Sequence, residues 1–124
     1  MPPTVLVCDN EEPLRALVIG ALELGDYEIV EAHDGDESVE LARACDPDLI
    51  VLDMMMPGRT GLEVLAELRT EDRFAATPVI MLTARTQAQD REAAIDAGVS
   101  RFLPKPFSPL ELASVVEELL DGHR

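Results

Sequence analysis

Five polar residues stand where apolar runs end. Asp9 and Asn10 follow "TVLVC", Asp53 follows "DLIVL", Thr83 closes "PVIML", and Lys105 follows "SRFLP". Together they offer two carboxylates, an amide, a hydroxyl and an ammonium. Hard oxygen ligands with room for water suit Mg²⁺. A lysine and a hydroxyl beside a carboxylate and a divalent cation suit the oxygens of a transferring phosphoryl group. A carboxylate can itself be the nucleophile, which gives an aspartyl phosphate.

Each residue alone has a plainer role. An aspartate after a strand is ordinarily a turn or helix-cap residue. That suits Asp9, ahead of a helix, better than Asp53, whose next helix starts past Pro57 with Thr60 as the natural cap. Thr83 alone reads as a strand residue and Lys105 as a surface lysine. The four become informative only if the fold gathers them.

The elements around them predict that it does. Apolar runs at 4–9, 27–32, 48–53, 78–84 and 100–104 read as strands, the second shorter in pattern and nearer an edge. Between them lie amphipathic segments. Leu14, Leu17, Val18, Ala21 and Leu22 form one helical face that Gly25 stops. Further helices are expected over 36–45, 60–70 and 86–98, the last with Ile95 as its large apolar anchor and Gly98 as its end. Ser108-Pro109-Leu110-Glu111 opens a final helix that buries Leu112, Val115, Val116 and Leu119. Five strand–helix units with continuous apolar strands make an α/β fold, a parallel sheet covered on both faces. Its functional crevice lies beyond the carboxyl ends of the strands, where these five residues stand.

Bulk properties narrow the choice. The 124 residues fit one domain, 1–124, and carry 25 acids against 10 Lys plus Arg, a net charge of −15. Such a surface repels phosphate backbones, so neither direct nucleic-acid binding nor anionic-membrane binding is expected. Cys8 and Cys45 do not make a disulfide framework, Cys8 points toward the core, and a reducing cytoplasm is the expected location. No leader precedes residue 4, and no apolar run approaches the roughly 20 residues of a membrane span. There is no Gly-rich phosphate loop. His33 and His123 have no Cys or His neighbours at metal spacing. Aspartyl-phosphate phosphatases place a second Asp two residues after the nucleophile, where this chain has Met55.

The segments "VLVCDNE", "PDLIVLDMMMPGRTGLEVL", "PVIMLTA" and "AGVSRFLPKPF" resemble the receiver domain of two-component response regulators over almost the whole length. The resemblance implies a doubly wound, flavodoxin-like five-stranded parallel sheet in the order 2-1-3-4-5, with five helices. It makes Asp53 the phosphoacceptor. Mg²⁺ is the implied cofactor, held by Asp9 through water, by Asn10, by Asp53 and by the backbone carbonyl of Met55. Thr83 and Lys105 take phosphoryl oxygens, and the Lys105–Pro106 bond matches the family's cis peptide. Phe102 matches an aromatic that moves with Thr83 on activation. Met55 and Arg85 flank the route of the hydrolytic water and tune phosphate lifetime. The donor is a histidine kinase or a histidine phosphotransfer protein. The output is a changed face over 86–98, the fifth strand and the last helix, read by a downstream protein, an output domain or a second copy in a homodimer. Such a domain is a signalling phosphoacceptor and not an enzyme beyond its own phosphotransfer and dephosphorylation.

Asn10 departs from the family, which places a charged Mg²⁺ ligand there. The pocket is then expected to fall from three carboxylates to two and to bind metal more weakly. Glu11 or Glu12 could compensate, although both read first as ordinary first-turn helix residues. Two functions follow. One is a working phosphoacceptor switch with altered metal binding, favoured by Asp53, Thr83 and Lys105. The other is a receiver-like interaction module that needs no phosphate.

Overall fold

Alternate residues of the first apolar run go to opposite sides of a sheet. Val5 and Val7 enter one core, Leu6 and Cys8 the other. The same division repeats at Leu49 and Val51 against Ile50 and Leu52, and at Ile80 and Leu82 against Val79 and Met81. This is why these strands are apolar throughout: a parallel sheet covered on both faces gives no strand position to water.

The computed structural model describes residues 2–83, 92, 95, 96 and 98–123. Its elements are β1 (Thr4–Cys8), α1 (Glu12–Leu22), β2 (Glu28–Ala32), α2 (Gly35–Cys45), β3 (Leu49–Asp53), α3 (Gly61–Arg69), a 3₁₀ turn (Asp72–Phe74), β4 (Val79–Thr83), β5 (Arg101–Pro104) and α4 (Pro109–His123). The five strands are parallel, in the order β2-β1-β3-β4-β5. This is the doubly wound, flavodoxin-like sheet expected from the sequence, with β2 at an edge. Helices α2 and α3 cover the face of Leu6, Cys8 and Met81; α1 and α4 pack together over the face of Val7, Val51 and Leu82. The helix expected over 86–98 falls almost wholly outside the described residues.

Local sequence explains the helix starts. Asp34 caps α2 by accepting from the Glu37 N–H at 2.8 Å. Thr60 and Glu63 make a reciprocal capping box at α3, at 3.2 and 2.9 Å. The Ser108 hydroxyl takes the Glu111 N–H at 3.4 Å as α4 begins.

Some expectations need correction. The α1 face is rotated: Leu17 is 43% exposed, and Arg15, Val18, Ala21 and Leu22 are buried. Arg15 turns inward because backbone and carboxylate acceptors await it there. Helix α1 ends at Leu22, before Gly25. In α4 the buried residues are Leu112, Val116 and Leu120, with Val115 and Leu119 half-buried on their flank. Ile95, expected to anchor its segment, is 62% exposed.

The strand register places the site. Cys8 pairs with Leu52, Asp53 with Leu82, and Thr83 with Pro104. Asp9, Asp53, Thr83 and Lys105 therefore emerge along one edge of the sheet.

Candidate functional site

Asp53 ends β3, buried between β1 and β4. Its Oδ2 lies 3.0 Å from Lys105 Nζ, and its Oδ1 accepts the Met55 N–H at 3.2 Å. The loop that follows is held tightly. The Met54 N–H donates to Leu82 O at 2.8 Å, and the Gly61 N–H to Met54 O at 2.9 Å. A Cβ on Gly61 would sit 2.4 Å from the Asp53 carbonyl oxygen, so only glycine lets α3 begin this close to the site.

Lys105 comes from the other side of the cleft. Its N–H donates to Thr83 O at 2.6 Å, which ties the chain after β5 to the end of β4. The Lys105–Pro106 bond is cis, as the resemblance implied. Thr83 is buried at the same edge. Phe102 is half-buried against the core on the α2–α3 side. Arg85 lies outside the described residues.

Asp9 is fully buried. Its Oδ1 accepts the Glu11 N–H at 2.9 Å, so its plainer role as a turn former at the helix entrance is real. Its Oδ2 has no hydrogen-bond partner among the described residues. Burial chiefly, with the nearby Asp53 carboxylate adding to it, raises the Asp9 pKa from 3.8 to about 6. When both carboxylates are ionised neither can donate to the other.

Asn10 is exposed. The carboxylate that joins Asp9 and Asp53 is that of Glu11: one oxygen from each of the three lies within 4.8 Å of the others. A third carboxylate thus stands beside Asp9 and Asp53 despite the amide at position 10. Glu11 is not a first-turn residue. It is the extended N-cap of α1, makes no side-chain cap bond, and leaves its carboxylate to the cleft. Met55 is 67% exposed beside Asp53, a flexible apolar group at the mouth of the site.

Sequence reasoning did not single out Arg15. Its Nη1 donates to the Asp9 carbonyl oxygen at 2.9 Å and its Nε to Glu31 Oε1 at 2.9 Å, bracing the turn after β1 against β2. A signal was present: Arg15 shares a helical face with Val18 and Leu22, where a charge demands a buried partner.

A divalent cation fits this cleft. Among the described residues, three carboxylates face one ammonium and one buried carboxylate oxygen is unsatisfied, a costly arrangement unless a ligand completes it. The donors are all hard oxygens, the set Mg²⁺ prefers.

The profile of the response regulator receiver domain matches residues 5–117. The chain is 37% identical over 120 residues to the phosphate regulon transcriptional regulatory protein PhoB of Escherichia coli, covering 97% of this chain and 52% of that protein. It is 41% identical over 116 residues to the transcriptional regulatory protein ResD of Bacillus subtilis, covering 94% and 47%. The chain thus spans about half the length of these curated relatives. Among solved structures, the chemotaxis protein CheY4 of Vibrio cholerae superposes with a TM-score of 0.90 at 29% identity, covering 96% of this chain and 99% of that one. A response regulator structure from Chloroflexus aurantiacus gives 0.92 at 28%, covering 98% and 99%. With the fold, the buried aspartate and the lysine already in place, these matches settle the family: the chain belongs to the response regulator receiver domains of two-component signalling.

Proposed function

We propose that residues 1–124 act as one receiver domain that accepts a phosphoryl group on Asp53 from a histidine kinase or a histidine phosphotransfer protein. An Asp53 carboxylate oxygen attacks phosphorus, an O–P bond forms, the P–N bond to the donor imidazole breaks, and the bonding pair leaves with the imidazole. Lys105, 3.0 Å from Oδ2, is placed to follow negative charge from the carboxylate onto the phosphoryl oxygens. The Met55 N–H on Oδ1 fixes the orientation of the nucleophile. Asp9, Asp53 and the Met55 carbonyl would hold Mg²⁺, which would supply charge neutralisation for the transfer. Thr83 takes a phosphoryl oxygen, and Phe102 follows it. The face over residues 86–98, β5 and α4 then shifts population toward the form a downstream protein, an output domain or a second copy reads. Met55 and Arg85 set how readily water reaches the acyl phosphate. The activity ends with self-phosphotransfer and self-dephosphorylation, and the acidic surface keeps nucleic acid away from this chain itself.

The observation that carries this reading is the contact of the Lys105 ammonium with a buried Asp53 carboxylate, beside an Asp9 oxygen that lacks a partner among the described residues. The test is incubation with a small-molecule phosphodonor and Mg²⁺, followed by intact mass. Wild type gains one phosphoryl group and Asp53→Asn gains none. A wild type that gains none sinks the switch and leaves the phosphate-independent interaction module.

A further inference from the structure

We infer that Glu11 carries the metal-site charge that Asn10 lacks, so that the anionic set around the cation is Asp9, Glu11 and Asp53. This rests on the metal reading above and names the residue that makes it work in this chain. Two independent observations point to it. The first is the cluster itself: oxygens of the three carboxylates lie within 4.8 Å of one another, although Asn10 stands between two of them in sequence. The second is Asp9, a member of that cluster, which is fully buried and whose Oδ2 has no hydrogen-bond partner among the described residues. A fold that buries an unsatisfied carboxylate oxygen beside two further carboxylates is organised around an added positive charge.

The local geometry explains why Glu11 can serve. The Asp9 Oδ1 takes the Glu11 N–H at 2.9 Å, closing a short turn that brings position 11 back over position 9. Arg15 pins the Asp9 carbonyl from the far side, and its own N–H donates to Glu11 O at 2.9 Å. The turn is thus held at both residues. Glu11 is the N-cap of α1, yet its side chain makes no cap bond and is free to face the cation. One extra methylene relative to aspartate lets a residue one place later in sequence reach the same cleft. The neutral, exposed Asn10 then contributes no charge.

The test is Mg²⁺ titration of the full chain by calorimetry, repeated with Mn²⁺ by electron paramagnetic resonance, without any phosphodonor. Glu11→Gln keeps the shape and the backbone N–H but removes the charge; it should weaken binding roughly tenfold or more. Asn10→Ala should change affinity by no more than about threefold, and the neighbouring Glu12→Gln should behave like wild type. Circular dichroism of each variant confirms that the fold is kept. If wild type binds and Glu11→Gln stays within about threefold of it, or if Asn10→Ala costs more than Glu11→Gln, the Glu11 assignment is wrong while the metal reading stands. If wild type binds neither cation, the metal reading fails and takes this inference with it.

Discussion

Asp9→Asn should stabilise the metal-free protein at neutral pH. The wild-type carboxylate is fully buried with one oxygen unpartnered among the described residues, and its pKa is raised from 3.8 to about 6. A raised carboxyl pKa means that the folded state holds the proton more tightly than the unfolded state. Stability from this group is therefore complete below about pH 4 and is lost as pH rises through about 6. Each tenfold change in proton affinity is worth roughly 1.4 kcal/mol, so ionised Asp9 costs on the order of 1–3 kcal/mol at pH 7.5. Asparagine keeps an Oδ1 for the Glu11 N–H and removes the buried charge. Urea unfolding in a chelating buffer should show no difference between the proteins near pH 4 and a growing advantage for Asp9→Asn toward pH 7.5. Added Mg²⁺ should then shrink or erase that advantage, because wild type gains about 2.7 kcal/mol at a concentration a hundredfold above Kd and the variant gains far less. An Asp9→Asn protein less stable than wild type at pH 7.5 without metal, or equally stabilised by Mg²⁺, would refute the reasoning.

Two further outcomes follow from packing. Gly61→Ala drives a Cβ against the Asp53 carbonyl, which should cost about 1–3 kcal/mol by denaturant unfolding and slow phosphorylation more than it lowers stability. Burial pushes the Cys8 thiol up to about 12, whereas Cys45 is only half-buried. An alkylating reagent at pH 8 should therefore label Cys45 in the folded protein and reach Cys8 only after unfolding, as read by peptide mass.

The sheet was legible because each strand carries its own signal. Three continuous apolar runs, at β1, β3 and β4, pointed to a parallel sheet with both faces covered, and the more polar "EIVEA" became the edge strand β2. Strand ends read as functional positions once the topology placed them on one edge. What escaped is what side-chain reach decides. Arg15 was hidden inside an apolar count, since nothing local announces that the Asp9 carbonyl and Glu31 wait for it. Glu11 looked like a first-turn acid, because its place ahead of α1 depends on the turn that Asp9 closes. Gly61 gave no sign that the Asp53 backbone lies against it. These contacts are set by how elements meet, which periodicity does not encode.

The central claim is that Asp53 receives the phosphoryl group, and its site can be mapped chemically. Protein treated with phosphodonor and Mg²⁺ is reduced with borohydride, which converts an aspartyl phosphate to homoserine, then digested and sequenced by mass spectrometry. Homoserine is expected at position 53 alone, dependent on the donor, and none in Asp53→Asn. Homoserine at Asp9 instead, or no donor-dependent change at position 53, would contradict it.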